Sequence, residues 1–331
     1  MIPRWKLLIT AALFAVRLRQ ASAQAPEVVT LELERENTVA YVYDLADPSR
    51  FATSANMVNA NLRNFMPFIG VADIVSVNGK PARGSWVTRG QFIMLGPSPT
   101  PGQAIGDIAR GSVSVQYLEI LQSDGTPVGT IMISGFPSGL TPPGLPPGSV
   151  WNLAVTGGTG AFLGARGTFV TGAPFTFRAA SIEEDPANRR TNGGPSGRFI
   201  VYLIPMSRPA IVSIVGGPAV VHASDSIPVT TAKPAKSGEV LTLYATGLGP
   251  TQPALEPGKV FTANPLQLAN SPIEVTVAGQ PAQVLYAGGY PGSADGFQVN
   301  FRLPSGATPG MARLQVTAAF VPGQAVSIPI Q

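Results

Sequence analysis

Apolar and polar residues alternate one by one along much of this chain, and a period of two confines it to β-structure. Phe297, Val299, Phe301 and Leu303 alternate with Gln298, Asn300 and Arg302, the pattern of a half-buried strand. Trp151, Leu153 and Val155 alternate with Asn152, Ala154 and Thr156 in the same way. Further strands are predicted at Thr38–Leu45, Val71–Val77, Gly84–Leu95, Ser112–Leu121, Val128–Gly135, Gly167–Thr171, Phe175–Ala179 and Arg198–Ile204. Asp124-Gly125 between two of them is a hairpin signal. The apolar phase slips at Tyr117–Leu118, which predicts a bulge or a strand covered on both faces. One segment, Phe51, Ala55, Val58, Leu62 and Phe65, has helical spacing, although its four asparagines are mediocre helix formers.

The fold divides at Pro205–Pro209. Before it, strands are separated by long Pro/Gly-rich loops at Gly96–Gly102 and Leu140–Gly148, and by the charged Glu183–Gly197 connection. After it they become compact and regular: Ile211–Val215, Glu239–Thr246, Ile273–Val277, Ala282–Tyr286, Gly296–Leu303, Ala312–Ala318 and Ala325–Ile330. Short antiparallel strands at that density fit a sandwich. The expected domains are residues 27–205 and 210–331, joined by a linker at 206–209.

Residues 1–23 read as a secretory signal: Arg4 and Lys6, the ten-residue run Leu7–Val16, then Ala21-Ser22-Ala23. As a helix that run reaches roughly 15 Å, half a bilayer core, so cleavage is expected rather than anchoring. The product is expected to be secreted, periplasmic or on the cell surface, with no membrane span after signal removal. The chain carries 22 Lys+Arg against 18 Asp+Glu, and Arg4, Lys6, Arg17 and Arg19 account for the whole excess. A mature body with 18 of each sign has no general attraction for nucleic acid or anionic membranes. Cysteine is absent, so disulfides contribute nothing and the cores must carry stability.

The glycine-rich run Thr156-Gly157-Gly158-Thr159-Gly160-Ala161-Phe162-Leu163-Gly164-Ala165-Arg166-Gly167 superficially matches a dinucleotide-binding turn. Such a turn must open a helix whose N-terminus holds the pyrophosphate. Here Thr168-Phe169-Val170-Thr171 follows, which is strand. The run instead reads as a reversal between antiparallel strands, with Gly157, Gly158 and Gly160 supplying positive φ.

Those same residues resemble the dirigent proteins, barrel proteins related to allene oxide cyclase: Gly157–Gly160 match the family's Gly-Gly-Thr-Gly, followed by Phe162 and by Ala165-Arg166-Gly167. Gly79–Gly84 and the strands from Asp124 to Gly135 resemble its neighbouring segments, and the likeness covers about residues 36–205. It implies an eight-stranded antiparallel barrel around an apolar cavity, no cofactor, and a small apolar or phenolic ligand. It further implies that Arg166 points into the cavity, with Asp44 as the matching acid on the first strand. Ala161 stands where lignan-forming members carry a second acid. Trp86, Phe92, Phe162 and Phe169 are candidate wall residues, with ordinary core packing as the competing role for each.

Conventional catalytic groups are sparse. His222 is the one histidine, which excludes multi-histidine metal sites. His222-Ala223-Ser224-Asp225 puts triad residue types side by side, but a triad is defined by geometry and this run reads as a polar loop. Glu183, Glu184 and Asp185 lack the oxygen spacing of a calcium loop.

In the second half, Leu243-Tyr244-Ala245-Thr246-Gly247-Leu248-Gly249-Pro250, Val275–Gly288 and Phe297–Asn300 resemble an uncharacterised C-terminal domain of acidobacterial secreted proteins. That resemblance implies an immunoglobulin-like, TIG-like module with nothing catalytic. The expected protein is therefore all-β, an eight-stranded antiparallel dirigent-like barrel followed by an immunoglobulin-like sandwich. Its expected function is non-catalytic binding of a small apolar or aromatic molecule, the sandwich serving attachment to a cell-surface or extracellular partner. Two rivals stand beside it: a cofactor-free cyclase or isomerase (dirigent-type coupling included) using Asp44 and Arg166, and a structural or adhesive barrel filled by its own side chains.

Overall fold

A computed structural model describes residues 27–42, 67–94, 110–135, 152–171, 175–256 and 258–331. Residues 1–23, Asp44, Trp151 and the Phe51–Phe65 segment lie outside the described residues.

The first half is a closed antiparallel barrel of eight strands. In chain order these are β1 (Val29–Val42), β2 (Pro67–Val77), β3 (Lys80–Met94), β4 (Arg110–Leu121), β5 (Pro127–Gly135), β6 (Asn152–Gly160), β7 (Arg166–Thr171), the short extra β8 (Arg178–Ser181), and β9 (Gly197–Ile204). Each of β1 to β6 pairs with the next, β7 pairs with β9, and β9 closes the ring on β1.

Strand β1 is shared. Its first half, Val29–Arg35, pairs with β9, and its last four residues, Val39–Val42, run parallel to β8. The register against β2 shifts between Glu36 and Val39, where Asn37 adopts φ 50. Asparagine tolerates that left-handed conformation. The shift lets Thr38 follow Arg35 into the buried side of the strand, since both are almost fully buried.

Turns Asn78-Gly79, Gln122–Thr126 and Ala161–Ala165 lie at one end, here called the base; the opposite end is the mouth. The buried apolar cluster runs from Val29, Leu31 and Leu33 through Ile74, Trp86, Leu118, Ile131, Val155, Phe169 and Val201. At the base it takes in Phe162, Ala165 and Leu203, together with Ala319, Phe320 and Val321 from the second half of the chain.

That second half is a separate β unit. Gly310–Ala318 pairs with Ile273–Val277 and Val326–Ile330, and Val240–Thr246 pairs with Phe297–Arg302. Strand Gln280–Gly289 joins the two sets, pairing through Ala282 with Ile273–Val277 and from Gln283 onward with Phe297–Arg302. Its core holds Leu241, Leu243, Val275, Phe297, Val299, Phe301, Leu314 and Ile328, apart from the barrel's.

The two units meet at the base. Ala319 and Phe320 form a two-residue hairpin tip with φ 49 and 66, a left-handed conformation that side chains resist. Phe320 is nonetheless 8% exposed and part of the barrel's apolar cluster. Around it, Gln122 Nε2 donates to Asn270 O at 2.7 Å, Asn270 Nδ2 donates to Pro127 O at 2.5 Å, and Lys80 pairs with Glu274.

Several expectations change. Strand β4 has no bulge at Tyr117–Leu118: its register with β3 is unbroken from Arg110 to Leu121. The phase slips because Ser114 and Gln116 are buried while Val113, Val115 and Tyr117 face outward. Gly157 and Gly158 are not turn residues but lie in β6 paired to β5, and the positive φ belongs to Gly160, Gly164 and Gly167. Gly158 is instead a close approach, since a Cβ there would stand 2.3 Å from Phe162 O and 2.8 Å from Thr130 O. The reversal itself is antiparallel, with β6 pairing β7 from Asn152–Val170 to Val155–Gly167. Phe175–Phe177 precedes β8 without joining a strand. Among the described residues no helix is long and apolar enough to cross a membrane.

Candidate functional site

Toward the mouth, the lining of the barrel changes from apolar to polar. Arg35, Thr38, Thr88, Ser114, Gln116 and Thr171 are all buried. Register places them: Thr88 stands opposite Gln116 across β3 and β4, Ser114 opposite Gly90, and Thr171 opposite Phe199 across β7 and β9. Side chains opposite one another in a ladder share a face, so these polar groups stand on the same side as the cluster residues Trp86 and Phe199.

Gln116 Oε1 accepts the indole N–H of Trp86 at 2.9 Å, and its Nε2 donates to Ser114 Oγ at 3.1 Å. The Trp86 ring lies 5.1 Å from that of Phe199 and 6.1 Å from that of Phe175. Phe199 in turn packs 5.1 Å from Phe169.

Arg35 sits against this aromatic group, 2% exposed, its guanidinium carbon 4.7 Å from the Phe175 ring and 5.1 Å from the Phe199 ring. Nη1 donates to Thr38 Oγ1 and Nη2 to Thr176 O at 3.4 Å, while Nε has no acceptor. Burial pushes the guanidinium down to about 10, so it remains a cation at neutral pH. Among the described residues no carboxylate lies within ion-pair distance of it. Burying a charge unpaired costs several kcal/mol, and a cation–π contact returns roughly 2 kcal/mol at best. Two ring faces therefore offset the cost only in part. Two hydroxyls of the same lining, Thr88 Oγ1 and Thr171 Oγ1, also lack partners.

The space for Arg35 is provided by Gly197, opposite it on β9: a Cβ there would stand 2.6 Å from Arg35 Nη2. Phe175, Thr176 and Phe177 are half-buried, so the segment covering Arg35 is partly open to solvent.

The residues expected to form the site are distributed differently. Arg166 is exposed and its Nη1 donates to the neighbouring Ala165 O at 2.9 Å. It starts β7 out of phase with the buried Phe169 and Thr171, which turns it away from the interior. Asp44 lies outside the described residues, as does the side chain of Phe92. Trp86, Phe162 and Phe169 are buried: Trp86 and Phe169 belong to the aromatic group, whereas Phe162 closes the base. The buried cation is thus Arg35, on the phase that Val29, Leu31 and Leu33 establish.

Elsewhere Tyr41 Oη and Ser271 Oγ are also buried without partners, while the charged clusters are paired internally. Arg178 and Glu184 pair through two bonds of 2.6 and 2.7 Å, and Asp185 caps the Pro186–Asn188 turn. Asp73 takes Arg189 at 2.5 Å, Arg190 at 3.3 Å and Asn37 at 3.0 Å, and lines an open outer groove with Glu36, Arg83 and Glu119. His222 Nδ1 meets Glu239 Oε1 at 2.6 Å, while Asp225 pairs with Lys233 and accepts from Ile227 N. Its run is a turn, not a triad. No group of three or more His, Cys, Asp or Glu among the described residues is placed to hold a metal ion.

No family model matches the chain, and no curated protein matches it significantly. Among solved structures, a pyocyanin demethylase aligns with 54% of this chain and 99% of its own length, at 18% identity and a TM-score of 0.26.

Proposed function

We propose that this is an exported binding protein whose barrel holds a small aromatic or apolar molecule in the polar-lined half toward the mouth. The observation that carries this is Arg35, a buried cation without a carboxylate among the described residues, set beside unpartnered Thr88 and Thr171 hydroxyls and an aromatic group. Buried polar groups are normally satisfied, and unsatisfied ones mark a functional site or an unseen partner. A barrel of eight strands has room for its own side chains or one small ligand. The base is filled by Phe162 and Phe320, so in this reading the ligand sits toward the opposite end.

In this reading the barrel is of the dirigent kind and the leader-like residues 1–23 direct export. The second unit is an immunoglobulin-like module, a view supported by the strand that passes between its two pairing sets. A structural role without ligand is favoured by the apolar filling of the base. Titration of the mature chain with a naphthalene-based probe, followed by tryptophan fluorescence and calorimetry, separates the two. Saturable binding supports the site; no binding at millimolar probe selects the structural role.

A further inference from the structure

We infer that the barrel selects a small aromatic acid, its carboxylate held by Arg35 and its ring by Trp86 and Phe199 in the place Phe175 now fills. The inference rests on the binding reading above and adds the charge and shape of the ligand.

Charge comes from Arg35. Its Nε–H lacks an acceptor, and among the described residues Nη1 is its one group bonded to a side chain, Thr38. A planar guanidinium with unfilled donors matches a carboxylate edge, and the charge-assisted bonds that form are roughly twice as strong as neutral ones. The glutamates flanking Arg35 on β1, Glu34 and Glu36, are exposed on the other face, and Glu34 Oε2 accepts from Ser76 Oγ at 2.9 Å. They leave the cation to a ligand.

Shape comes from the rings. Phe175 lies over the guanidinium at 4.7 Å and against Phe199 with ring centroids 6.3 Å apart, nearly stacked at 26°. A flat apolar ring is therefore what this position already accommodates. Phe175 is half-buried and belongs to no strand, so it can turn aside and a ligand ring take its place. The carboxylate then reaches the edge of Arg35. Unpartnered Thr88 and Thr171 hydroxyls are two further donors on the same lining. A neutral hydrocarbon would satisfy none of these groups, and an aliphatic acid would forgo the rings.

The test compares 2-naphthoate with its neutral isostere 2-naphthamide on the mature full-length chain. We expect 2-naphthoate to bind at least about tenfold more tightly. Equal affinities would overturn the selectivity and leave the binding reading standing; no binding of either would remove both. Arg35→Met keeps the stem and deletes the charge, and should abolish the preference, the loss of affinity falling mainly on 2-naphthoate. A preference that survives in folded Arg35→Met refutes the role of Arg35. Should that variant fail to fold, the wild-type comparison still decides, and cyclohexylacetate in place of 2-naphthoate tests the ring: equal affinity would refute the aromatic half.

Discussion

Arg178 clasps Glu184 through two parallel hydrogen bonds, Nη1 to Oε2 at 2.6 Å and Nη2 to Oε1 at 2.7 Å, and both side chains are more than nine-tenths buried. Arg178 also donates from Nε to Gly193 O at 2.7 Å, so the pair ties the start of β8 to the end of the connection that leads into β9. Breaking a buried pair strands a charge and costs about 3–5 kcal/mol. Glu184→Gln should lower stability by about that amount in urea titrations at pH 7.

The same pair predicts a pH dependence. Hydrogen bonding from Arg178 holds the Glu184 carboxyl below its ordinary value despite the opposing effect of burial. A depressed carboxylate contributes stability fully above the unfolded value of about 4.3 and loses it as pH falls through the folded value. Thermal midpoints measured downward from pH 6 should therefore fall below about pH 4.3, and Glu184→Gln should flatten that slope.

Gly157 and Gly158 are adjacent but not equivalent. A methyl at Gly157 meets only the end of Arg166 Nη1 at 3.9 Å, whereas one at Gly158 meets two backbone oxygens at 2.3 and 2.8 Å. Gly157→Ala should change stability by less than about 0.5 kcal/mol. Gly158→Ala should cost about 2–3 kcal/mol, because backbone on two sides cannot yield without moving the turn.

Gln116 bridges Trp86 and Ser114. Gln116→Leu leaves the indole N–H without its acceptor and should cost about 1–3 kcal/mol. Trp86→Phe with Gln116→Leu removes both polar partners and should recover part of that loss. A double-mutant cycle by chemical denaturation reads the coupling.

The tip of the base hairpin offers opposite substitutions. Phe320→Ala should cost about 3–4 kcal/mol by emptying the barrel floor. Ala319→Gly should gain up to about 1 kcal/mol by relieving a residue held at φ 49.

Much of the barrel could be read from alternation, because one face of each strand meets a dry core. Alternation failed where the interior turns polar. Along β4 the apolar residues Val113, Val115 and Tyr117 face out and Ser114 and Gln116 face in, so hydrophobicity points to the wrong face and reads as a bulge or a strand covered on both faces. The inversion was itself the signal of a polar lining. Arg35 was legible in the same way: Val29, Leu31 and Leu33 set an inward phase whose next member is an arginine. Arg166, inferred from family likeness, fails that phase test, since Phe169 and Thr171 take the inward positions of β7. Gly158 reads as a turn residue in the sequence because steric contact from a neighbouring strand leaves no trace locally. Phe320 was invisible for a related reason, being a side chain that one unit lends to the other's core.

That loan has a practical outcome. Severing the chain within 206–209 would not release two self-sufficient halves, for the barrel would lose its stopper and present Phe162, Ala165 and Leu203 to water. Grafting the second unit elsewhere would likewise export an oily knuckle with no socket. The natural unit of experiment is the undivided pair.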